Sequence, residues 1–257
     1  MLDYMLFPEQ RQALIKDLLM KHGRVQCILL AKELKVSEHT IRRDLQELAL
    51  SGICKRVYGG AVSQTPVSED FSHRISQNEH SKQRLAQATI PLLTHNRCLF
   101  IDSGSTNLAI AQMIPADITL TVVTNSPDIA QIVMRIANKQ VILIGGQINS
   151  CTGGATGITA LQQLNTIFID QCILGGCALD VDEGLTAFNY EDSEFKRALI
   201  QRSAQVMVAL TSPKIPTVAN YQVARCQDID TLIIEHDLAA DKIQPFCECI
   251  NTIIRAK

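Results

Sequence analysis

Tryptophan is absent from this sequence, and aromatic side chains supply only 4% of it. Proteins that read single-stranded RNA stack its bases on aromatic platforms, so that class is disfavoured at the outset. No C-x-x-C pair occurs among the nine cysteines (27, 54, 98, 151, 172, 177, 226, 247 and 249). Their odd number and dispersal fit neither a disulfide framework nor a zinc ribbon. Most sit among apolar neighbours, as Cys98 does before Leu99, Phe100 and Ile101, and read as reduced core side chains. Cys247 and Cys249 are two thiols without a nearby third ligand, so neither a metal nor a cofactor is expected. Uninterrupted apolar runs are missing too: the longest stretch without a charge, 140–169, is broken by Gln147, Asn149, Ser150, Thr152, Gln162 and several glycines. That composition does not suit a membrane span. Residues 1–9 carry Asp3 and lack a basic flank followed by an apolar core, so they do not read as a signal peptide, and a cytoplasmic location is expected.

What is present is ample apolar material. Hydrophobic residues make up 46% and charged residues 19% of 257 positions, enough to bury one large core or two unequal ones. The formal net charge of −2 conceals an asymmetry. Residues 1–62 hold ten Lys/Arg against seven Asp/Glu, whereas the remainder holds fourteen against nineteen. The positive end is the candidate contact for nucleic acid.

Leu14, Ile15, Leu18 and Leu19 recur at helical spacing within 11–21, with Pro8 near the start and Gly23 as a stop. Ile28, Leu29, Ala31 and Leu34 suit a second, short helix. Ser37 is a good N-cap for a third helix over 38–51, ended by Gly52, with Ile41, Leu45 and Leu48 as its buried stripe. At 100° per residue, His39, Arg43 and Gln46 lie opposite that stripe, flanked by Thr40 and Arg42. A cationic, hydrogen-bonding face near the start of a capped helix suits the DNA major groove: Arg bonds a guanine edge bidentately, and Thr with the helix N-terminus holds phosphate. An ordinary solvated helix face would also account for such charges taken alone. The next segment, 53–62, alternates apolar and basic residues and turns at Gly59-Gly60, which predicts a two-stranded wing with Lys55 and Arg56 on the phosphate backbone.

Ser37-Glu38-His39-Thr40-Ile41-Arg42-Arg43-Asp44-Leu45, followed by Arg56-Val57-Tyr58-Gly59-Gly60-Ala61, resembles the signature of the DeoR family of bacterial transcription regulators. The resemblance spans the whole winged domain and continues to about residue 237. It includes Asp102-Ser103-Gly104-Ser105-Thr106, Val123-Thr124-Asn125-Ser126, Ile144-Gly145-Gly146, Gly184-Leu185-Thr186 and Glu194-Phe195-Lys196-Arg197-Ala198. It implies a sensor domain like ribose-phosphate isomerases, with phosphorylated sugars or related metabolites as effectors. By the same resemblance Ser103, Gly104, Ser105 and Thr106 would hold phosphate, and Asp102, Asn125, Gly146, Lys196 and Lys214 would border the pocket. Two departures bear on the ligand. The family usually reads Asp-Ser-Ser-Lys-Phe-Gly where this chain has Thr211-Ser212-Pro213-Lys214-Ile215-Pro216, and Ala178 replaces a usual glycine.

The residues themselves point the same way. After a polar stretch at 63–70 that reads as a linker, apolar segments at 98–101, 119–123, 141–144, 166–174, 206–210, 231–234 and 250–254 alternate with helix-like ones. This predicts an α/β domain with a mainly parallel sheet, whose ligands bind at the carboxyl ends of strands. The domains are expected at 1–62 and 81–257, joined by a connecting segment at 63–80. The loop from Asp102 to Asn107 follows a strand and opens a helix, so its amides and hydroxyls suit an anion. It lacks the lysine of a Walker A loop and the glycine spacing of a dinucleotide fingerprint.

Two readings compete. The chain is a DNA-binding regulator, expected to be a repressor of carbohydrate use, that binds operator duplex as a homodimer or higher even oligomer. Alternatively, the larger domain is a sugar-phosphate isomerase-like enzyme with Glu191, Asp192 or Glu194 as acid or base beside Lys196. These charges also fit the exposed face of an amphipathic helix bearing Phe195, Leu199 and Ile200.

Overall fold

A computed structural model describes residues 7–63 and 70–257. The expected linker therefore lies almost wholly outside the described residues, as do the first six residues of the leader reading.

The amino-terminal unit is a winged helix-turn-helix. Helix α1 (Pro8–His22) opens on a proline and ends at Gly23, whose φ of 75° is the left-handed cap a glycine takes without steric cost. Strand β1 (Arg24–Gln26) runs straight into α2 (Cys27–Glu33), and α3 (Glu38–Leu50) begins at Ser37, whose Oγ accepts from Thr40 N at 3.1 Å. The wing is β2 (Cys54–Val57) and β3 (Gly60–Ser63), and β1 adds a third antiparallel strand on the far side of β3. Three consecutive residues gave no periodicity from which to expect β1. Its presence sets the phase of α2, so Cys27, Leu30 and Leu34 turn inward while Ile28 and Leu29, of the apolar set that suited the helix, are exposed. Ile15, Leu19, Ile41, Leu45 and Leu48 complete this small core.

The larger unit starts with α4 (Phe71–Ser76) and α5 (Glu79–Thr89), whose Phe71, Leu85 and Ala86 pack into its core. Then come β4 (Arg97–Ile101), α6 (Ser105–Gln112), β5 (Leu120–Thr124), α7 (Pro127–Val133) and β6 (Lys139–Leu143). A hairpin of β7 (Gln147–Asn149) and β8 (Gly154–Thr156) precedes α8 (Ile158–Leu164) and β9 (Gln171–Leu174). Next are β10 (Ala178–Asp180), β11 (Gly184–Ala187), α9 (Tyr190–Gln201), β12 (Val206–Leu210) and β13 (Tyr221–Ala224). The chain closes with β14 (Thr231–Glu235), α10 (Ala240–Ile243) and β15 (Thr252–Ala256).

The main sheet has seven strands in the order β15-β14-β12-β9-β4-β5-β6, parallel throughout. Both faces are covered: Leu99 and Ile101 of β4 join one apolar cluster while Phe100 between them joins the other. Two buried faces explain why these strands read as continuous apolar runs. The chain leaves β4 toward β5 on one side and later returns to β9 on the other, so the strand order reverses between β4 and β9. A crevice at the carboxyl ends of the strands opens at such a point. The segment 166–170 does not join β9. The smaller antiparallel sheet, β10-β11-β13, and the β7–β8 hairpin had no counterpart in the sequence reading, because strands this short carry too little alternation to read.

Candidate functional site

The outer face of α3 is open. The Arg42 and Arg43 side chains are 60% and 77% exposed and pair with partners one turn along, Glu38 at 3.1 Å and Glu47 at 3.4 Å. Such pairs are weak in water and yield readily to a base or phosphate. Ser37 and Thr40 share a hydroxyl contact of 2.8 Å at the helix start, and His39 is exposed beside them. Arg56 reaches back from the wing to Gln46, so wing and helix form one groove, lined by Arg42, Arg56 and the wholly exposed Tyr58 at the wing tip. Tyr58 had been read only as part of the wing motif. Lys55 is placed differently from its expected role on the phosphate backbone. It points toward the larger domain, where Nζ donates to Ala219 O at 3.4 Å, because alternate residues of a strand face opposite sides.

Asp44 belongs to the structure beneath this face. Buried with Arg11 of α1, it accepts from that guanidinium through both oxygens, one at 2.8 Å, and so fixes α3 on α1. Hydrogen bonding to Asp44, offset in part by burial, holds the Arg11 pKa above its ordinary value.

A second site occupies the crevice between β4 and β9. Its floor is the loop after β4: Ser103 N donates to Asn125 Oδ1 at 3.0 Å, and Asn107 Nδ2 donates to Asp102 O at 2.9 Å and Ile173 O at 3.1 Å. Gly104, at φ 133°, turns the chain into α6, so the helix amides face the cleft. Across it stand Gly175, Gly176, Cys177, Lys196 and Lys214, and Arg74 and Thr152 close the rim. Glycine is required at 175, where a Cβ would lie 2.6 Å from Ser103 O.

The charges converge here. Lys196 sits between Asp102, at 3.4 Å, and Asp192, with which it is hydrogen-bonded, and all three are buried. Burial opposes the Lys196 charge, but the two carboxylates outweigh it and hold its pKa above the ordinary lysine value. Burial also raises Asp102, against the pull of Lys196. Lys214 donates to Gly176 O at 2.7 Å, and burial lowers its pKa to about 8. Among the described residues, Asp102 Oδ1, Ser103 Oγ, Ser126 Oγ and Asp192 Oδ2 are buried without a hydrogen-bond partner. Buried polar atoms seldom stay unsatisfied, and two of these residues, Ser103 and Asp192, line the cleft.

Of the residues expected at the pocket, Ser103, Gly104, Ser105, Thr106, Lys196 and Lys214 line it, and Asp102 lies directly beneath. Asn125 supports the loop from behind. Gly146 does not line the cleft: a Cβ there would meet Thr156 O at 3.1 Å and Ala160 at 3.5 Å, so it serves the packing of the hairpin on α8. Arg74, Thr152 and Cys177 were missed, since nothing in their local sequence ties them to a pocket assembled from distant segments. The solvated-face reading of α9 holds for Glu194 and Arg197, which pair with one another, but not for Asp192 and Lys196.

The two units meet along the edge of β1 and β3. Arg24 is held by Asp180, at 3.2 Å, and by Asp182, and Val218 N donates to Ser63 O at 3.3 Å.

Comparison with known proteins agrees with both halves. Residues 11–67 match the model of the DeoR-like helix-turn-helix domain, and residues 77–236 match that of the DeoR C terminal sensor domain. An HTH-type transcriptional regulator, GlpR, of Haloferax volcanii is 31% identical over 92% of this chain and 93% of its own length. The glycerol-3-phosphate regulon repressor of Escherichia coli K12 is 31% identical over 87% of this chain and 89% of its own. The HTH-type transcriptional repressor GlcR of Bacillus subtilis is 26% identical over 96% and 94%. Among solved structures, ribose 5 phosphate isomerase A from Neisseria gonorrhoeae shares 12% identity over 53% of each chain, with a TM-score of 0.40. The relatives named above are regulators, which sets the isomerase alternative aside. With a winged helix-turn-helix and a sensor domain that together account for most of its length, this chain belongs to the DeoR family of DNA-binding transcription regulators.

Proposed function

We propose that this protein represses an operon of carbohydrate use and that a phosphorylated sugar or polyol, seated on Ser103, Gly104, Ser105 and Thr106, modulates its hold on operator DNA. The observation that carries the reading is the buried Ser103 hydroxyl. It lacks a partner at the N-terminus of α6, inside a cleft rimmed by Arg74 and Lys214. Amides and dipole at such a terminus favour an anion, and the two cations supply charge-assisted bonds. The unpartnered oxygens of Asp102 and Asp192 accept hydrogen bonds and so suit hydroxyl groups on the same molecule. Asn125 positions the loop, and Lys196 neutralises the carboxylates. Arg43, Gln46 and His39 read bases, while Ser37, Thr40, Arg42, Arg56 and Tyr58 hold the backbone. The protein works as a homodimer or higher even oligomer in the cytoplasm, because one winged module buries too little surface for firm specificity.

The test is a thermal-shift screen of phosphorylated sugars and polyols against their unphosphorylated counterparts, followed by operator titration with any compound that stabilises. The reading requires stabilisation by phosphorylated members alone and a change in operator affinity with the same compound. Equal shifts with the unphosphorylated controls would remove phosphate from the account.

A further inference from the structure

One short strap, 211–219, between β12 and β13, carries both a residue that lines the cleft and residues that hold the winged domain. At its first end Lys214 faces the cleft and donates to Gly176 O at 2.7 Å. At its other end Val218 N donates to Ser63 O at 3.3 Å, and Ala219 O accepts from Lys55 Nζ at 3.4 Å. Between them Pro216 lies against the turn that ends α1, where a Cβ added to Gly23 would stand 2.5 Å from Pro216 O. Thr217 ties the strap to itself and to β10: its Oγ1 donates to Lys214 O at 2.9 Å and its N to Leu179 O at 3.1 Å. The next residue, Asp180, is half of the clamp on Arg24, and Asp182 is the other half. Among the described residues, the hydrogen bonds and ion pairs between the two units given above therefore end on the strap, or on β10, to which it is tied, and the turn that follows it.

The geometry points to this strap as the element through which occupancy of the cleft is passed to the winged domain. It rests on the reading of the cleft as an effector site. In the docked arrangement the arginines of α3 stay exposed, so that face is open to operator, and the docked arrangement is taken as the competent one. An anion in the cleft competes with Gly176 O for the Lys214 ammonium. Displacing Lys214 moves Pro216 and Val218, loosens the clamp on Arg24, and frees the winged domain from the orientation that paired half-sites require.

The sign of one substitution separates this mechanism from ordinary electrostatics. Asp182 is a largely exposed acid on the larger domain, and removing an acid from a DNA-binding protein by charge alone strengthens binding. The strap requires the reverse. Operator duplex would be selected by the full-length wild-type protein from random DNA and titrated at one salt concentration with Asp182→Ala, Lys214→Ala and the double variant, without effector. Each single change should weaken binding about 10-fold. The double variant should lose no more than the worse single one, rather than the roughly 100-fold of independent effects. Asp182→Glu, which keeps the clamp's charge, should bind like wild type. Tighter binding by Asp182→Ala, or losses that multiply in the double variant, would overturn the coupling.

A parallel thermal-shift arm with glycerol 3-phosphate and a panel of phosphorylated sugars keeps the two readings apart. Stabilisation together with multiplying losses retires the strap and leaves the cleft. Non-multiplying losses without stabilisation by any phosphorylated probe retain the strap as the link and retire the proposed ligand.

Discussion

Single side chains carry three of the expected outcomes. Arg43→Ala should reduce discrimination among operator variants by about 1–3 kcal/mol, because a guanidinium free to leave Glu47 at 3.4 Å is what bidentate guanine recognition requires. A competition assay with unchanged preference would assign the reading face elsewhere. Gly104→Glu should abolish the effector response while operator binding persists. Nothing lies within 4 Å of a Cβ there, so the new carboxylate fits but occupies and repels the phosphate position, at about 1–3 kcal/mol of backbone strain from φ 133°. The third outcome is a pH profile. Burial has already lowered Lys214 to about 8, so above that pH the free protein has lost the ammonium that the anion needs, and binding must take the proton back. Affinity for a phosphate monoester should thus hold from about pH 6, where the second phosphate proton leaves, to about 8, and fall beyond. Calorimetric titration across this range checks it, and an affinity still flat at pH 10 would take Lys214 out of the site.

At the scale of elements, the winged domain depends on an ion pair that the sequence hides inside its recognition motif. Arg42 and Arg43 face water, whereas Asp44 beside them turns inward to Arg11. Asp44→Ala leaves the guanidinium buried without its acid and should destabilise this domain by about 3–5 kcal/mol. A separate early transition in denaturant, absent from wild type, is the readout. The main strands were legible because burial on both faces makes each an apolar run, and α3 because its cap and stripe agree. The phase of α2 was not, since it depends on β1, a three-residue strand that forms through its pairing with the distant β3. Residues of α9 divide in the same way: periodicity outlines the helix, but only the loop after β4 explains why Asp192 and Lys196 face inward.

For the whole molecule, the two sites are expected to be linked reciprocally. If effector changes operator affinity by a coupling free energy of about 1–3 kcal/mol, saturating operator must change effector affinity by the same factor, and titrations in both orders measure it. Self-association should reside in the larger domain, so sedimentation of the full chain at micromolar concentration should show an even oligomer. A monomer that still protects paired half-sites would contradict this.

Family, domain order, the outer face of α3 and the loop that opens α6 follow from the sequence by itself, because each rests on neighbouring residues whose spacing repeats or whose cap and turn chemistry is local. Tertiary structure alone decided which distant side chains share the cleft, that Lys55 faces the larger domain rather than the wing's outer side, and that Pro216 lies against Gly23. These relations join segments far apart in the chain, and their energies come from burial and packing that exist only once the sheet has brought the loops to one end.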